Sequence, residues 1–240
     1  MVSIIKTNGE NYRKENDSIG MKEVPGNVYY GVQSMRAAEN FRITGLFMHP
    51  EIINSLALVK KAAAITNCEV GDLDKKIADA IVAACDEILA GNLHDDFIVD
   101  PIQGGAGTSL NMNANEVIAN LGLEYLGHKK GEYQYLHPNN DVNLSQSTND
   151  AYPTAFRLAT YLKIESFANA LTQLQEAFYK KGKEFDNVLK MGRTQLQDAV
   201  PMTLGQEFNA FATTLGEDVT RLRESEKLIT EVNMGATAIG

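Results

Sequence analysis

The sequence predicts a mainly α-helical protein: a small helical N-terminal domain over residues 1–150, followed over 151–240 by the opening long helices of a multi-subunit helical bundle. Three observations point there. Two segments before residue 92 carry apolar residues at helical spacing. Two later stretches continue that spacing well past an ordinary helix. After the polar first twenty or so residues, no repeat, low-complexity tract or Pro/Ser-rich linker intervenes.

Pro50 opens the first segment, with Ile52, Ile53, Leu56, Val59 and Ala63 on one face. Asp72 is expected to cap the second, which carries Leu73, Ile77, Ile81, Ala84 and Ile88 until Gly91 stops it. The long patterns run from Pro153 to about Gly182 and from about Thr203 to Asn233, the latter with Phe208, Phe211, Leu215, Val219, Leu222 and Ile229 in register. Helices of that length are marginal alone and need other helices to cover their apolar stripes, so a bundle and oligomerisation are expected. The closing EVNMGATAIG sets small residues after a long helix with no further element, which reads as a truncated portion of a longer protein.

Composition narrows the partners. The 44% hydrophobic and 22% charged content is that of a globular protein. With 22 Lys plus Arg against 31 Asp plus Glu, the net charge of −9 disfavours nucleic acid and anionic lipid. The start, MVSIIKTNGENYRKEND, is too weakly apolar for a signal peptide, and no run approaches a membrane span, so a cytoplasmic address is expected. Cys68 and Cys85 read as reduced thiols with a packing role. His49, His94, His128 and His137 are scattered without metal-ligand spacing, each reads as structural, and no metal site is expected.

Four polar stretches break the helical pattern. Gly104–Asn115, GGAGTSLNMNAN, is a glycine-rich turn entering a helix through Thr108, where amides and helix dipole favour an anion; an N-cap Thr in a plain turn is the alternative. A dinucleotide fingerprint fails because Leu110 stands at the third glycine, and no Lys completes a phosphate loop. His137–Asn143, HPNNDVN, and Ser145–Asp150, SQSTND, follow just ahead of Pro153, with Ser147, Thr148 and Asn149 suited to capping, to binding, or to both. Met191–Pro201, MGRTQLQDAVP, is expected as an inter-helix loop whose neutral hydrogen-bonders line a site. No Ser/His/Asp triad and no titratable base are evident.

These stretches resemble the aspartase/fumarase superfamily. EVPGNVYYGVQSMRAAENFRITG, GGAGTSLNMNANEVIANLG, HPNNDVNLSQSTND and KMGRTQLQDAVPMTLGQEF are similar to successive blocks of that family, in its order, from about residue 20 onward. Within the superfamily the chain looks like the aspartate ammonia-lyases, because Ala106 and Gln195 stand where the hydratases carry Ser and His. Fumarate hydratase is the alternative; a dicarboxylate-binding, self-associating helical fragment without catalysis is another of a different class.

The resemblance implies the truncated fold of that superfamily and a homotetramer in the cytoplasm with sites shared among three subunits, the GT, STN and RTQ blocks coming from different chains. It implies reversible, cofactor-free elimination of ammonia from L-aspartate to give fumarate through an aci-carboxylate, with divalent-metal activation left open. Preorganised donors around the reacting carboxylate would be the main catalytic term. Thr108, Ser147 and Thr148 would hold the β-carboxylate, Asn149 the amino group, and Thr194 with Gln195 the α-carboxylate and amine. His137, Asn139 and Asn140 match a second anion site of the hydratases. The family's catalytic serine loop is expected beyond residue 240, so these 240 residues are expected to lack turnover by themselves.

Overall fold

The polar opening stretch, where no strand was expected, pairs as an antiparallel hairpin of β1 (Tyr12–Asp17) and β2 (Gly20–Pro25) in the computed structural model, which describes residues 11–238. The first ten residues, part of the segment judged unlike a signal peptide, and the last two lie outside the described residues. YRKEND has no apolar alternation to announce a strand; the hairpin is held by a side chain from within it. Arg13 donates to Glu15 Oε1, to the Pro25 and Val28 carbonyls and to the Tyr30 carbonyl at 2.7–2.8 Å. Asp17 Oδ1 takes the amides of Ile19 and Gly20 to close the turn.

Four helices follow: α1 (Val32–Asn40), α2 (Pro50–Glu69), α3 (Lys75–Leu89) and α4 (Thr108–Tyr125). Pro50 opens α2 as expected, with His49 Nδ1 accepting the Glu51 amide. The cap of α3 is Asp74 in place of Asp72. The amides of Asp72 and Leu73 are tied back to the Asn67 carbonyl at the end of α2, so the chain is released into a new helix only afterwards. Gly91, at φ +92°, ends that segment as expected.

Helix α4 packs against α1, α2, α3 and a π-turn at Pro138–Val142. Ile53, Leu56, Ile81, Ile88, Leu110, Val117, Ile118 and Leu123 bury almost completely around it. Each such side chain contributes about 1.5–3 kcal/mol relative to exposure. The polar residues of α4 serve as ties: Asn113 holds the Ile98 amide and Asp96 carbonyl, and Asn120 the Tyr29 carbonyl, Tyr133 hydroxyl and Gly131 amide.

Helix α5 (Thr148–Glu184) starts before Pro153, which lies inside it. Proline removes the amide that would bond the Asn149 carbonyl one turn back, and Asn233 Nδ2 donates to that carbonyl instead, at 2.8 Å. Among the described residues, those through Ala159, with those from Val232 onward, form one compact unit, and Thr160–Glu231 form another. The expected boundary at residue 150 falls in the first turn of α5, the helix that continues from one unit into the other.

In the second unit the Met191–Pro201 stretch, expected as a loop, is a hairpin of β3 (Leu189–Thr194) and β4 (Gln197–Thr203) with a bulge between Met191 and Arg193. Gln195 and Leu196 form its turn at φ +47° and +65°, the left-handed pair that matches strand twist. Gln-Leu is not a residue pair that advertises such a turn, and Pro201 inside β4 argues against a strand. Helix α6 (Leu204–Ile229) follows, capped reciprocally by Thr203 and Gln206, and ends ahead of the expected Asn233. Phe178, Phe185, Phe208 and Phe211 pack with ring centroids 5.5–6.4 Å apart.

Candidate functional site

Two helix starts meet in the first unit. Gly107, at φ +86°, is the N-cap of α4, so Thr108 is its exposed first residue and not its cap. Only a residue without Cβ fits: an added Cβ at Gly107 would stand 2.2 Å from Cγ of Tyr152 in the first turns of α5. One turn into α4, Asn111 Nδ2 donates to Thr148 Oγ1 at 3.0 Å. The GT and STN blocks therefore adjoin within this one chain, a correction to their expected origin in different chains.

Ser147 and Asp150 close the start of α5 reciprocally. Ser147 Oγ accepts the Asn149 amide at 3.2 Å, and Asp150 Oδ1 accepts the Ser147 amide at 3.0 Å. Capping thus uses a lone pair of Ser147 Oγ and leaves its hydrogen for another partner. Asn149 is exposed, and Asp150 is fully buried with Oδ2 receiving Thr237 Oγ1 at 2.7 Å. What converges here is a set of hydroxyls and amides at the positive ends of two helices, chemistry that suits a carboxylate.

The other predicted residues lie elsewhere. His137 caps the π-turn, its Nδ1 accepting the amides of Asn139 and Asn140 at 3.0 and 3.2 Å, so those two amides are already engaged. His137 and Asn139 line a cavity of about 540 Å³ with Gln33, Arg36, Glu116 and Tyr133, which none of Thr108, Ser147, Thr148 or Asn149 lines. Thr194 and Gln195 sit exposed at the tip of the β3–β4 hairpin, beside the Arg193–Asp198 ion pair at 2.7 Å, in the second unit. His94 binds the Ile88 carbonyl and His128 stacks on Tyr135, while burial pushes the Cys85 thiol up to about 12. Among the described residues no group of three acidic, His or Cys side chains is arranged for a metal ion.

Among the buried ionisable groups that sequence reasoning missed are Lys60 and Glu116. Lys60 of α2 has no exposed surface and donates to Asn143 Oδ1 and Gln146 Oε1; burial pulls its pKa down to about 7. Glu116 of α4 takes the amides of Gly31, Gln33 and Ser34 and the Ser34 hydroxyl. Burial pushes it up to about 7 against the hydrogen bonds from Ser34 and Gln33, and the Glu15 carboxylate adds to the rise. A signal for Lys60 was present: it falls at helical spacing with Leu56 and Ala64, on an apolar stripe that an unpartnered lysine avoids.

These shifts act on stability in opposite directions. Between about 4.5 and 7 the native state holds a Glu116 proton that the unfolded chain has released, so that contribution is complete at lower pH and is lost as pH rises to 7. Between about 7 and 10.5 the unfolded chain holds a Lys60 proton that the native state lacks, so stability from this group rises with pH. Denaturant midpoints followed through both windows are expected to pass through a shallow minimum near neutrality, and Lys60→Met to flatten the alkaline rise. An unchanged alkaline limb in that variant would contradict the assignment.

The fold and the converging helix starts define a class. The sequence matches the family described as Lyase over residues 20–240, and the chain belongs to that family. More particularly, it is 57% identical to the aspartate ammonia-lyase of Pseudomonas fluorescens over 243 residues, all of this chain and 51% of the relative. It is 56% identical to that of Bacillus subtilis over 229 residues, 95% of this chain and 48% of the relative. The chain spans about half the length of the curated relatives it matches. Among solved structures, a fumarate lyase:delta crystallin from Brucella melitensis superposes with a TM-score of 0.90 at 54% identity, over 94% of this chain and 53% of that one. A class II fumarase from Schistosoma mansoni gives 0.85 at 37%, over 96% and 49%. The mainly helical fold expected from the sequence is the one these structures share.

Proposed function

We propose that this chain supplies part of an aspartate ammonia-lyase, which eliminates ammonia reversibly from L-aspartate to give fumarate. The observation that carries the reading is the meeting of the α4 and α5 starts, where Gly107 abuts Tyr152 and Asn111 holds Thr148. Removing a proton from Cβ piles charge onto the neighbouring β-carboxylate, and preorganised neutral donors are what lowers that barrier. Thr108, Ser147 and Thr148 hold this carboxylate, and Asn149 contacts the amine. Thr194 and Gln195 take the α-carboxylate and amine, an amide being able to orient an amine without carrying a proton. A secondary anion role for His137, Asn139 and Asn140 would use the ring edge and side chains, since two of the amides are engaged.

In this reading the enzyme is cytoplasmic, needs no cofactor and works as a homotetramer. Phe167 and Leu174 on α5 and Phe211 and Leu228 on α6 are exposed apolar residues that other copies would cover. No described helix is long and apolar enough to cross a membrane.

The test is complementation. The chain is mixed with the second half of the Pseudomonas fluorescens relative, and fumarate formation from aspartate is followed by ultraviolet absorbance. Restored elimination, cut at least about tenfold by Ser147→Ala, is expected. Hydration of fumarate to malate with no reaction of aspartate would replace this reading with a hydratase, and stable assembly without either reaction would replace it with a binding fragment.

A further inference from the structure

Behind the first turn of α5 a series of amides, buried except for the half-buried Asn143, ends in a lysine. Lys60 Nζ reaches Asn143 Oδ1 at 2.7 Å and Gln146 Oε1 at 2.9 Å. Lys60 holds the oxygen end of both amides while carbonyls hold the other: Gln146 Nε2 is used on the Val142 and Leu144 carbonyls and Asn143 Nδ2 on the Gln146 carbonyl. Asn143 Oδ1 also receives Asn111 Nδ2 at 3.1 Å and Asn115 Nδ2 at 3.2 Å, and Asn111 Nδ2 shares itself with Thr148 Oγ1 at 3.0 Å. Asn111 and Asn115 keep this orientation although the Oδ1 atom of each is buried without a partner. Turning either amide around would set oxygen against oxygen at Asn143.

The direction of every bond in this series follows from its origin. An ammonium has only hydrogens to give, and even the neutral amine has two, enough for both oxygens it faces. Asn143 must therefore offer oxygen, Asn111 must answer with its NH2, and Thr148 Oγ1 must accept. A hydroxyl that accepts from behind turns its own hydrogen the other way.

We propose that Lys60 is a positioning residue for the ligand site: through Asn143 and Asn111 it sets the polarity of the Thr148 hydroxyl, so that this hydroxyl donates outward to a carboxylate. The inference rests on the reading of Ser147–Asn149 as a carboxylate contact. Without donors at position 60, only the Gln146 carbonyl still opposes a turn of Asn143; once turned, Asn143 presents NH2 to Asn111, Asn111 turns its oxygen inward, and the Thr148 hydrogen follows it away from the ligand.

A double-mutant cycle with succinate, a dicarboxylate that cannot react, tests this by titration calorimetry on the purified protein. Lys60→Met and Thr148→Val are each expected to weaken succinate binding about tenfold, and the double variant no further than either single one. A general loosening of the fold would not produce that coupling. Lys60→Met binding as the unaltered protein does, or two losses that multiply, would overturn the inference. Thr148→Val binding without loss would instead overturn the site reading itself, so the two failures are distinct. Should Lys60→Met lose cooperative unfolding, Asn111→Leu interrupts the same series with the same expected cycle against Thr148→Val, and independent losses there would likewise overturn the inference.

Discussion

Glu116→Gln is expected to lose about 2–4 kcal/mol of folding stability at a pH of about 8, although the two side chains have the same shape. Helix α1 has no side-chain cap of its own at Gly31 and no acidic residue in its first turn. Its first amides are met from elsewhere: Glu116 Oε2 takes those of Gly31 and Ser34 with the Ser34 hydroxyl, Glu116 Oε1 takes that of Gln33, and Glu15 Oε2 takes that of Val32. A glutamine amide must turn its NH2 toward one side or the other, and on either side it faces an N–H. One buried donor is then left unmet and one hydrogen bond lost, whereas a carboxyl, protonated or not, keeps an acceptor on both oxygens. The approach is close enough to exclude any side chain at Gly31, where a Cβ would lie 2.6 Å from Glu116 Cδ and from Glu15 Oε2. Equilibrium denaturation would measure the loss; a Glu116→Gln midpoint equal to that of the unaltered chain would mean that the cap is not a carboxylate's task.

Gly205→Val is expected to cost the second unit about 3 kcal/mol, more than most surface changes on α6. A Cβ at Gly205 would come within 2.4 Å of the Gly182 carbonyl oxygen and 2.7 Å of Asp186 Cα, both backbone atoms with no rotamer to give way. The Gly205 and Leu204 amides bond the Phe185 and Val188 carbonyls across the same contact, so displacement breaks hydrogen bonds along with packing. Amide exchange at Leu204 and Gly205 should accelerate in the variant, together with loosening of the Phe185–Phe208 contact. Unchanged protection at those two amides would show that the helices separate there without cost.

Much of the helical layout was legible because its signals are local. Pro50 and Gly91 bracket their segments, and Thr203 with Gln206 spells a capping box just where the second long pattern begins. The polar start of α5 was legible as a cap, since hydroxyls and amides before a helix read the same whether they cap or bind. Errors arose where a distant group decides a local structure. Tyr12–Pro25 is a hairpin because Arg13 ties it to carbonyls as far as Tyr30. Asp72 fails as a cap because Asn67 holds its amide, and Pro153 sits inside α5 because Asn233 serves the carbonyl that it leaves free.

The sequence by itself determined the helical class, the positions of most helices and the placing of hydroxyls and amides at the starts of α4 and α5, because periodicity and helix-end preferences act over a turn or two of chain. Only the tertiary structure decided that the α4 and α5 starts adjoin within one chain, and that Lys60 and Glu116 are buried with partners more than 80 residues away in sequence. A buried charge is tolerable only when another segment supplies its hydrogen bonds, and a one-dimensional pattern does not record which segment that is.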